Sequence, residues 1–195
     1  MSLLRPMVVD SGFYTITNMG SRTRIDLERG SKRDGTKVVG WAPHEPTHSG
    51  YLNQVWEIRP SKNEGCYTIV NAKTGTYLEA VVDSVDDSGV QVTCSKACED
   101  KPSSQEWYLC GPPETAEYLG SCGIVHRDAA SRLLLDLAGG SSTNGTKIQI
   151  LHVFDFIGSV TELLWLIKPA EYSKPGSQLA VDTMPGDPGA IQKSA

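Results

Sequence analysis

The tripeptide Gln54-Val55-Trp56 occurs twice more in related form, as Gln105-Glu106-Trp107 and as Leu163-Leu164-Trp165. About 40 residues upstream of each tryptophan lies an apolar opening: Gly12-Phe13-Tyr14-Thr15-Ile16, Gly65-Cys66-Tyr67-Thr68-Ile69 and, more weakly, Cys122-Gly123-Ile124-Val125. Repetition at this period indicates supersecondary units that cannot bury their apolar faces alone and must pack together. The chain therefore contains three repeats.

Each repeat also carries an acid followed by a glycine turn. Asp26 precedes Asp34-Gly35-Thr36, and Asp136 precedes Asn144-Gly145-Thr146, with the glycine nine residues after the acid in both. In the middle repeat the glycine comes ten residues after Glu79. Asp-Gly and Asn-Gly pairs are typical of tight hairpin turns. Apolar and polar residues alternate after the second and third turns, which predicts half-buried strands.

Four short strands joined by tight turns are therefore expected in each repeat. A propeller uses similar units but typically needs about 4–8 of them to close. Three units fit a β-trefoil, a threefold barrel with a hairpin cap whose closure leaves no open sheet edge. We predict an all-β chain with a β-trefoil over residues 11–169, an N-terminal segment over 1–10 and a Pro/Gly-containing C-terminal extension over 170–195.

Composition and charge narrow the class of function. The chain of 195 residues has a net charge of −5 and no run of Lys or Arg, so a nucleic-acid partner is not expected. No apolar stretch is long enough for membrane insertion, and residues 1–10 lack the apolar core of a secretory signal. We therefore expect a cytoplasmic protein. The five cysteines form no even disulfide set and lack zinc-ligand spacing, which favours reduced, mostly buried thiols and no metal.

The three Gln-x-Trp-type repeats, with Leu-Asp and Asn-Gly-Thr signals between them, resemble the ricin B-chain-type lectins. The lectins of mushroom fruiting bodies, which are intracellular, are the most similar. The resemblance covers Ser11 to Pro169 and implies a carbohydrate-binding β-trefoil without enzymatic activity or cofactor. It further implies recognition of glycoproteins or glycolipids that end in galactose or N-acetylgalactosamine, and a role in fungal defence against animals that eat the fungus.

The resemblance also implies where the sugar binds. The family's site combines an acid, an aromatic residue on the next strand, an Asn and the Gln of Gln-x-Trp, and the first repeat supplies all four as Asp26, Trp41, Asn53 and Gln54. The carboxylate would accept hydrogen bonds from two sugar hydroxyls, and the indole would cover the apolar face of the ring. Asn53 can donate and accept, Gln54 would brace Asp26 or the backbone, and His44 could form the pocket wall.

The other two repeats depart from this pattern. In the second, Glu79 replaces the aspartate and Cys94 stands at the aromatic position, so no sugar site is expected. In the third, Asp136 is retained, but Leu151 replaces the aromatic residue and Leu163 replaces the Gln. A weak second site would combine Asp136 with a substitute for the aromatic residue, either His152, Phe154 or Phe156. A single main site per chain would give avidity only through multivalency, so a homodimer is an expected partner arrangement.

One segment of the chain matches a catalytic motif, but its sequence disfavours the helix that the motif requires. The segment His44-Glu45-Pro46-Thr47-His48 matches the zinc-protease pattern His-Glu-x-x-His, which needs a helix. Pro46 inside that segment disfavours a helix by about 3 kcal/mol. We therefore predict a loop here and no metal site.

Two further functions of a trefoil remain open. Mycocypin-type trefoils inhibit cysteine proteases through surface loops, and the long loops over Pro43–Leu52 and Lys96–Ser104 could serve that role. A purely structural trefoil that binds protein partners would be favoured if Trp41 were buried.

Overall fold

The computed structural model describes residues 5–82, 89–111, 120–128, 133–152 and 160–172. Regular structure in these residues consists of strands and short 3-10 turns. After β1 (Arg5–Pro6), the first repeat contributes β2 (Gly12–Asn18), β3 (Arg24–Leu27), β4 (Thr36–Trp41) and β5 (Trp56–Pro60). The second contributes β6 (Cys66–Asn71), β7 (Tyr77–Glu79), β8 (Val90–Gln91), β9 (Thr93–Ser95) and β10 (Glu106–Gly111). The third contributes β11 (Ser121–His126), β12 (Leu133–Leu137), β13 (Thr146–His152) and β14 (Trp165–Pro169).

Antiparallel pairing closes a barrel from the first and last strand of each repeat. β2 pairs with β5, β5 with β6, β6 with β10, β10 with β11, β11 with β14, and β14 returns to β2. The inner strands of each repeat form hairpins, and contacts of β4 and β13 with each other and with β8 and β9 join these hairpins into a cap. The predicted β-trefoil is confirmed. In the second repeat, the strand that corresponds to β4 and β13 is interrupted at Val92 and so appears as β8 and β9.

The three repeat tryptophans lie in the core, as predicted. Trp56, Trp107 and Trp165 are fully buried. Their indole N–H groups donate to the backbone carbonyls of the residues directly before the three acids, at 3.0–3.1 Å: Ile25, Leu78 and Leu135. Each tryptophan thus fixes the strand that carries the acid of its repeat.

Both ends of the described chain pack on the barrel. Arg5 and Pro6 pair with β10, and Val9 belongs to the core. At the other end Ala170 donates its N–H to the carbonyl of Phe13, and the ring of Tyr172 meets that of Phe13 edge-on, with centroids 4.8 Å apart. Most of the predicted C-terminal extension, residues 173–195, lies outside the described residues.

Two further expectations concern the state of the cysteines and the presence of a membrane-spanning helix. Cys66, Cys94 and Cys122 are buried and Cys98 and Cys110 half-buried, all as free thiols. In the part of the chain that the structure describes, no helix has the length and apolarity that crossing a membrane requires.

Candidate functional site

The β3–β4 hairpin places the predicted acid and the predicted aromatic residue on one face. Asp26 lies opposite Val39, and Arg24 lies opposite Trp41. Since side chains alternate along a strand, residues two apart share a face. Asp26 is 4% exposed at the base of this face, whereas Trp41 is 36% exposed at its outer end. A buried acceptor and an accessible indole therefore line the same surface.

Gln54 braces the acid, as the sequence predicts. It ends the 3-10 turn Tyr51–Gln54, which Val55 separates from β5. Its side-chain amide donates to Asp26 Oδ2 at 3.0 Å and to the carbonyl of Ala42 at 2.9 Å. Its Oε1 accepts the backbone N–H of His44 at 2.9 Å. Because Gln54 is fully buried, it holds the acid and the His44 loop in place from behind.

The His44 segment forms loop and turn, not helix. The imidazole Nε2 of His44 lies 4.0 Å from Asp26 Oδ2, too far for a hydrogen bond. Its ring stacks on that of His48, with centroids 4.0 Å apart. Burial, His48 and Arg24 lower the pKa of His44. A neutral His44 thus forms a wall of the site. Among the described residues, no group of three or more His, Cys, Asp or Glu side chains is arranged to hold a metal ion.

Asn53 is reached by a residue that sequence reasoning missed. Its Oδ1 accepts a hydrogen bond from Lys73 Nζ at 2.9 Å. Lys73 belongs to the turn after β6, and Asn71 fixes that turn by donating to the backbone carbonyl of Asn53 at 3.1 Å. Gly30, at φ +57°, permits this approach because a Cβ there would lie 2.4 Å from Asn53 Oδ1. Lys73 comes from the next repeat, so the spacing within one repeat gave no signal for it.

These residues enclose a pocket of about 620 Å³, whose lining also includes Arg29 and Gly50. Burial raises the pKa of Asp26 to about 6, although the hydrogen bond from Gln54, the charge of Lys73 and the side chain of Asn53 oppose the shift. The pocket therefore offers a carboxylate acceptor, an amide, a cation and an aromatic face. This combination suits a polyhydroxylated ring with one apolar side.

The second repeat corrects one expectation. Glu79 lies opposite Thr93 and Tyr77 opposite Ser95, so Ser95 and not Cys94 is the counterpart of Trp41. The extra residue between the acid and the glycine shifts the register by one position, which turns Cys94 into the core, where it is fully buried. The position is still not aromatic, as predicted.

The third repeat keeps the acid but braces it differently. Asp136 lies opposite Gln149, whose amide donates to Asp136 Oδ2 at 2.9 Å. Leu151 is the counterpart of Trp41, and His152 lies opposite Leu133 on the alternate face of β13. Asp136 and His152 are therefore not placed side by side as Asp26 and Trp41 are. Phe154 and Phe156 lie outside the described residues. Burial and the charge of Glu162 raise the pKa of Asp136.

Comparison with known proteins places the chain in a family. The model of the ricin-type beta-trefoil lectin domain-like family matches residues 52–151. Because the match spans half of the chain, the protein belongs to this family, and the predicted resemblance is confirmed. Among curated proteins, none matches the chain in sequence.

Solved structures share the fold. The Rhizoctonia solani agglutinin is 21% identical, with a TM-score of 0.65 over 85% of this chain and 99% of its own. The Macrolepiota procera ricin B-like lectin, solved with lactose, is 24% identical, with a TM-score of 0.62 over 84% and 100%. The designed threefold-symmetric protein ThreeFoil is 22% identical, with a TM-score of 0.63 over 80% and 97%. Family and fold together support carbohydrate binding.

Proposed function

We propose that the protein is a lectin whose main site is the first-repeat pocket, and that it binds glycans ending in galactose or N-acetylgalactosamine. The observation that carries the proposal is the shared face of Asp26 and Trp41. A buried carboxylate held by Gln54 faces the same space as an accessible indole. The lactose complex of the Macrolepiota lectin, which has the same fold, adds support for a galactoside.

Each side chain has a distinct part in this proposal. Asp26 accepts hydrogen bonds from two neighbouring hydroxyls of the sugar, and as a carboxylate it does so more strongly than a neutral acceptor. Trp41 covers the C–H face of the ring. Asn53 contributes its amide donor, because Lys73 already occupies its Oδ1. Gln54 and the His44 wall hold these groups in position. No bond of the sugar is broken.

A shallow pocket for one sugar residue implies weak single-site affinity, with a Kd of roughly 10 μM to 1 mM. We propose that a homodimer in the cytoplasm supplies the avidity that one site lacks. Asp136 and His152 remain a predicted weak second site, with a geometry less favourable than that of the first.

A glycan array tests the proposal directly. Wild type is expected to bind glycans with terminal galactose or N-acetylgalactosamine, and Asp26→Ala and Trp41→Ala to lose that binding. Asp136→Ala is the matched control, since it removes the corresponding acid from the third repeat and should leave most binding intact. Folding of each variant is checked by its unfolding transition.

A blank array for folded wild type would refute the lectin function and favour the mycocypin-like alternative. The loops over Pro43–Leu52 and Lys96–Ser104 would then be tested for inhibition of papain-like proteases. A purely structural trefoil would have been favoured by a buried Trp41, and the indole is instead 36% exposed.

A further inference from the structure

The first-repeat pocket continues into a second depression. This second depression has a volume of about 400 Å³ and shares Glu28 and Arg29 with the pocket. Arg33 and Lys37 line its far side. The two depressions, which meet at the shared residues Glu28 and Arg29, are together called the groove.

The groove is locally positive although the chain carries a net charge of −5. Arg29, Arg33 and Lys37 have no ion-pair partner within the described ranges. Asp34 is held by Lys96, whose backbone N–H lies 2.9 Å from Oδ1 and whose Nζ lies 3.6 Å from Oδ2. Glu28 and Asp34 are the acids that line the second depression, so its three cations outnumber its acids even before the charge of Lys96 is counted.

Arg29 occupies a backbone position that favours glycine. Its φ is +55°, and the counterpart in the third repeat is Gly139, at φ +61°. A side chain in the left-handed region costs of order 1–2 kcal/mol, and such residues cluster at functional sites. Lys73, the other cation of the pocket, also has a glycine as its counterpart near the third-repeat acid. Lys73 stands two residues after Asn71, whose amide contacts the first-repeat site, and Gly20 stands two residues after Asn18, whose amide contacts Glu162 in the third repeat. The first-repeat site thus has two cations where the third-repeat positions have glycines.

We propose that this groove binds an acidic group, a sulfate or a carboxylate, attached to the glycan whose terminal sugar lies on Trp41. Arg29 meets the group at the junction, and Arg33 and Lys37 extend the positive surface. Guanidinium groups bind carboxylate and sulfate oxygens through paired N–H donors. The ligand class is therefore acidic galactosides. This inference rests on the proposed function and specifies its ligand.

Calorimetric titration of the full chain tests it with lactose, sulfated lactose and sialylated lactose. At about 20 mM salt, wild type is expected to bind at least one acidic form about three- to tenfold more tightly than lactose. The preference should shrink at about 150 mM salt because exposed charges are screened. Whichever acidic form is preferred identifies the source of the charge.

Two glycine variants distinguish binding of the acidic group by Arg29 from non-specific attraction by any positive charge of the protein. Arg29→Gly should remove the preference. Arg33→Gln and Lys37→Gln, which change residues that line only the second depression, should weaken the preference and leave lactose affinity within about twofold. Arg22→Gly is the matched control: Arg22 is also left-handed, at φ +66°, but lines neither depression. It should keep the preference. Glu28→Gln should increase the preference, because it removes the opposing acid.

The outcomes separate the two proposals. Equal affinity of wild type for lactose and both acidic forms would overturn the acidic subsite and leave the lectin function intact. Acidic preference that survives Arg29→Gly, or acidic binding unchanged by Asp26→Asn, would also overturn the subsite. Failure of every galactoside to bind in an Asp26-dependent way would instead refute the proposed function.

Discussion

The first and third repeats share a framework but differ in what their surfaces offer. In both, a buried tryptophan donates to the carbonyl before the acid. The residues after the acid also fold alike, with Gly30 at φ +57° and its counterpart Gly140 at φ +60°. The framework therefore reproduces the acid's position whether or not the residues of the first-repeat pocket surround it.

The difference lies in the side chain that holds the acid. In the first repeat Gln54 holds Asp26 from behind, and the small Val39 opposite leaves the pocket open. In the third repeat Leu163 takes the place of Gln54, and Gln149 holds Asp136 from the position that corresponds to Val39. If sugar binds as proposed for the first repeat, we expect Gln149 to occupy the space through which it would reach Asp136. Retention of the acid alone is thus not evidence of a site.

The largest expected effect tests the shared framework. Trp56→Ala and Trp165→Ala should each lower the free energy of unfolding by about 3–5 kcal/mol, because each leaves a large cavity in the core. Trp41→Ala should change it by less than about 1 kcal/mol, since its side chain is partly exposed. Denaturant titration measures all three. A small effect at Trp165 alone would show that the repeats do not share this support equally.

The next effect concerns the folding stability that is lost by burying the Asp26 carboxylate. The pKa of Asp26 is raised from 3.8 to about 6, so the unfolded chain loses the proton first. The contribution of Asp26 to stability falls as pH rises from about 4 to 6 and then levels off. Asp26→Asn removes this cost and should stabilise the fold by up to about 3 kcal/mol at pH 7.

Thermal unfolding across pH 4–7 checks this expectation. The difference between Asp26→Asn and wild type should be near zero at about pH 4 and grow with pH. An equal difference at every pH would show that the carboxylate is not destabilised by burial. The same variant should lose sugar binding, which would make the acid a functional and not a stabilising residue.

Exchanging residues 39 and 149 tests whether a glutamine opposite the acid blocks access of a sugar to it. Val39→Gln places in the first repeat the residue that the third has at this position, and it should weaken galactoside binding by about tenfold, or about 1.4 kcal/mol. Gln149→Val is the reciprocal control and should leave main-site binding within about twofold. It removes the brace of Asp136 and should lower stability by about 1–3 kcal/mol. Unchanged binding in Val39→Gln, measured by calorimetry, would contradict the occlusion.

The smallest effect concerns the left-handed arginine. Arg29→Gly gives the first repeat the residue of the third at this position and should stabilise the fold by about 0.5–1 kcal/mol through relief of strain. Arg22→Gly should stabilise it similarly. Destabilisation by Arg29→Gly, measured in denaturant, would show that the side chain supports the fold and is not kept for a ligand.

The sequence predicted the parts of the molecule that depend on spacing within one repeat. Tryptophans that each follow an apolar opening by about 40 residues predicted the trefoil, because only packing of three units can bury them. Asp26 and Trp41 were predicted from the resemblance to the ricin B-chain-type lectins, and the pairing of β3 with β4 places their side chains on one face. The prediction for Cys94 was wrong because one added residue before the turn changed the register, which pairing alone reveals.

Contacts between repeats and across strands were decided by the tertiary structure. Lys73 enters the pocket from the next repeat because closure of the barrel brings the turn after β6 against Asn53. Gln149 reaches Asp136 through strand pairing. Sequence by itself determined which fold forms and which acid is available. The tertiary structure decided which acid faces open space and which charges surround it, because those depend on distances between residues far apart in the chain.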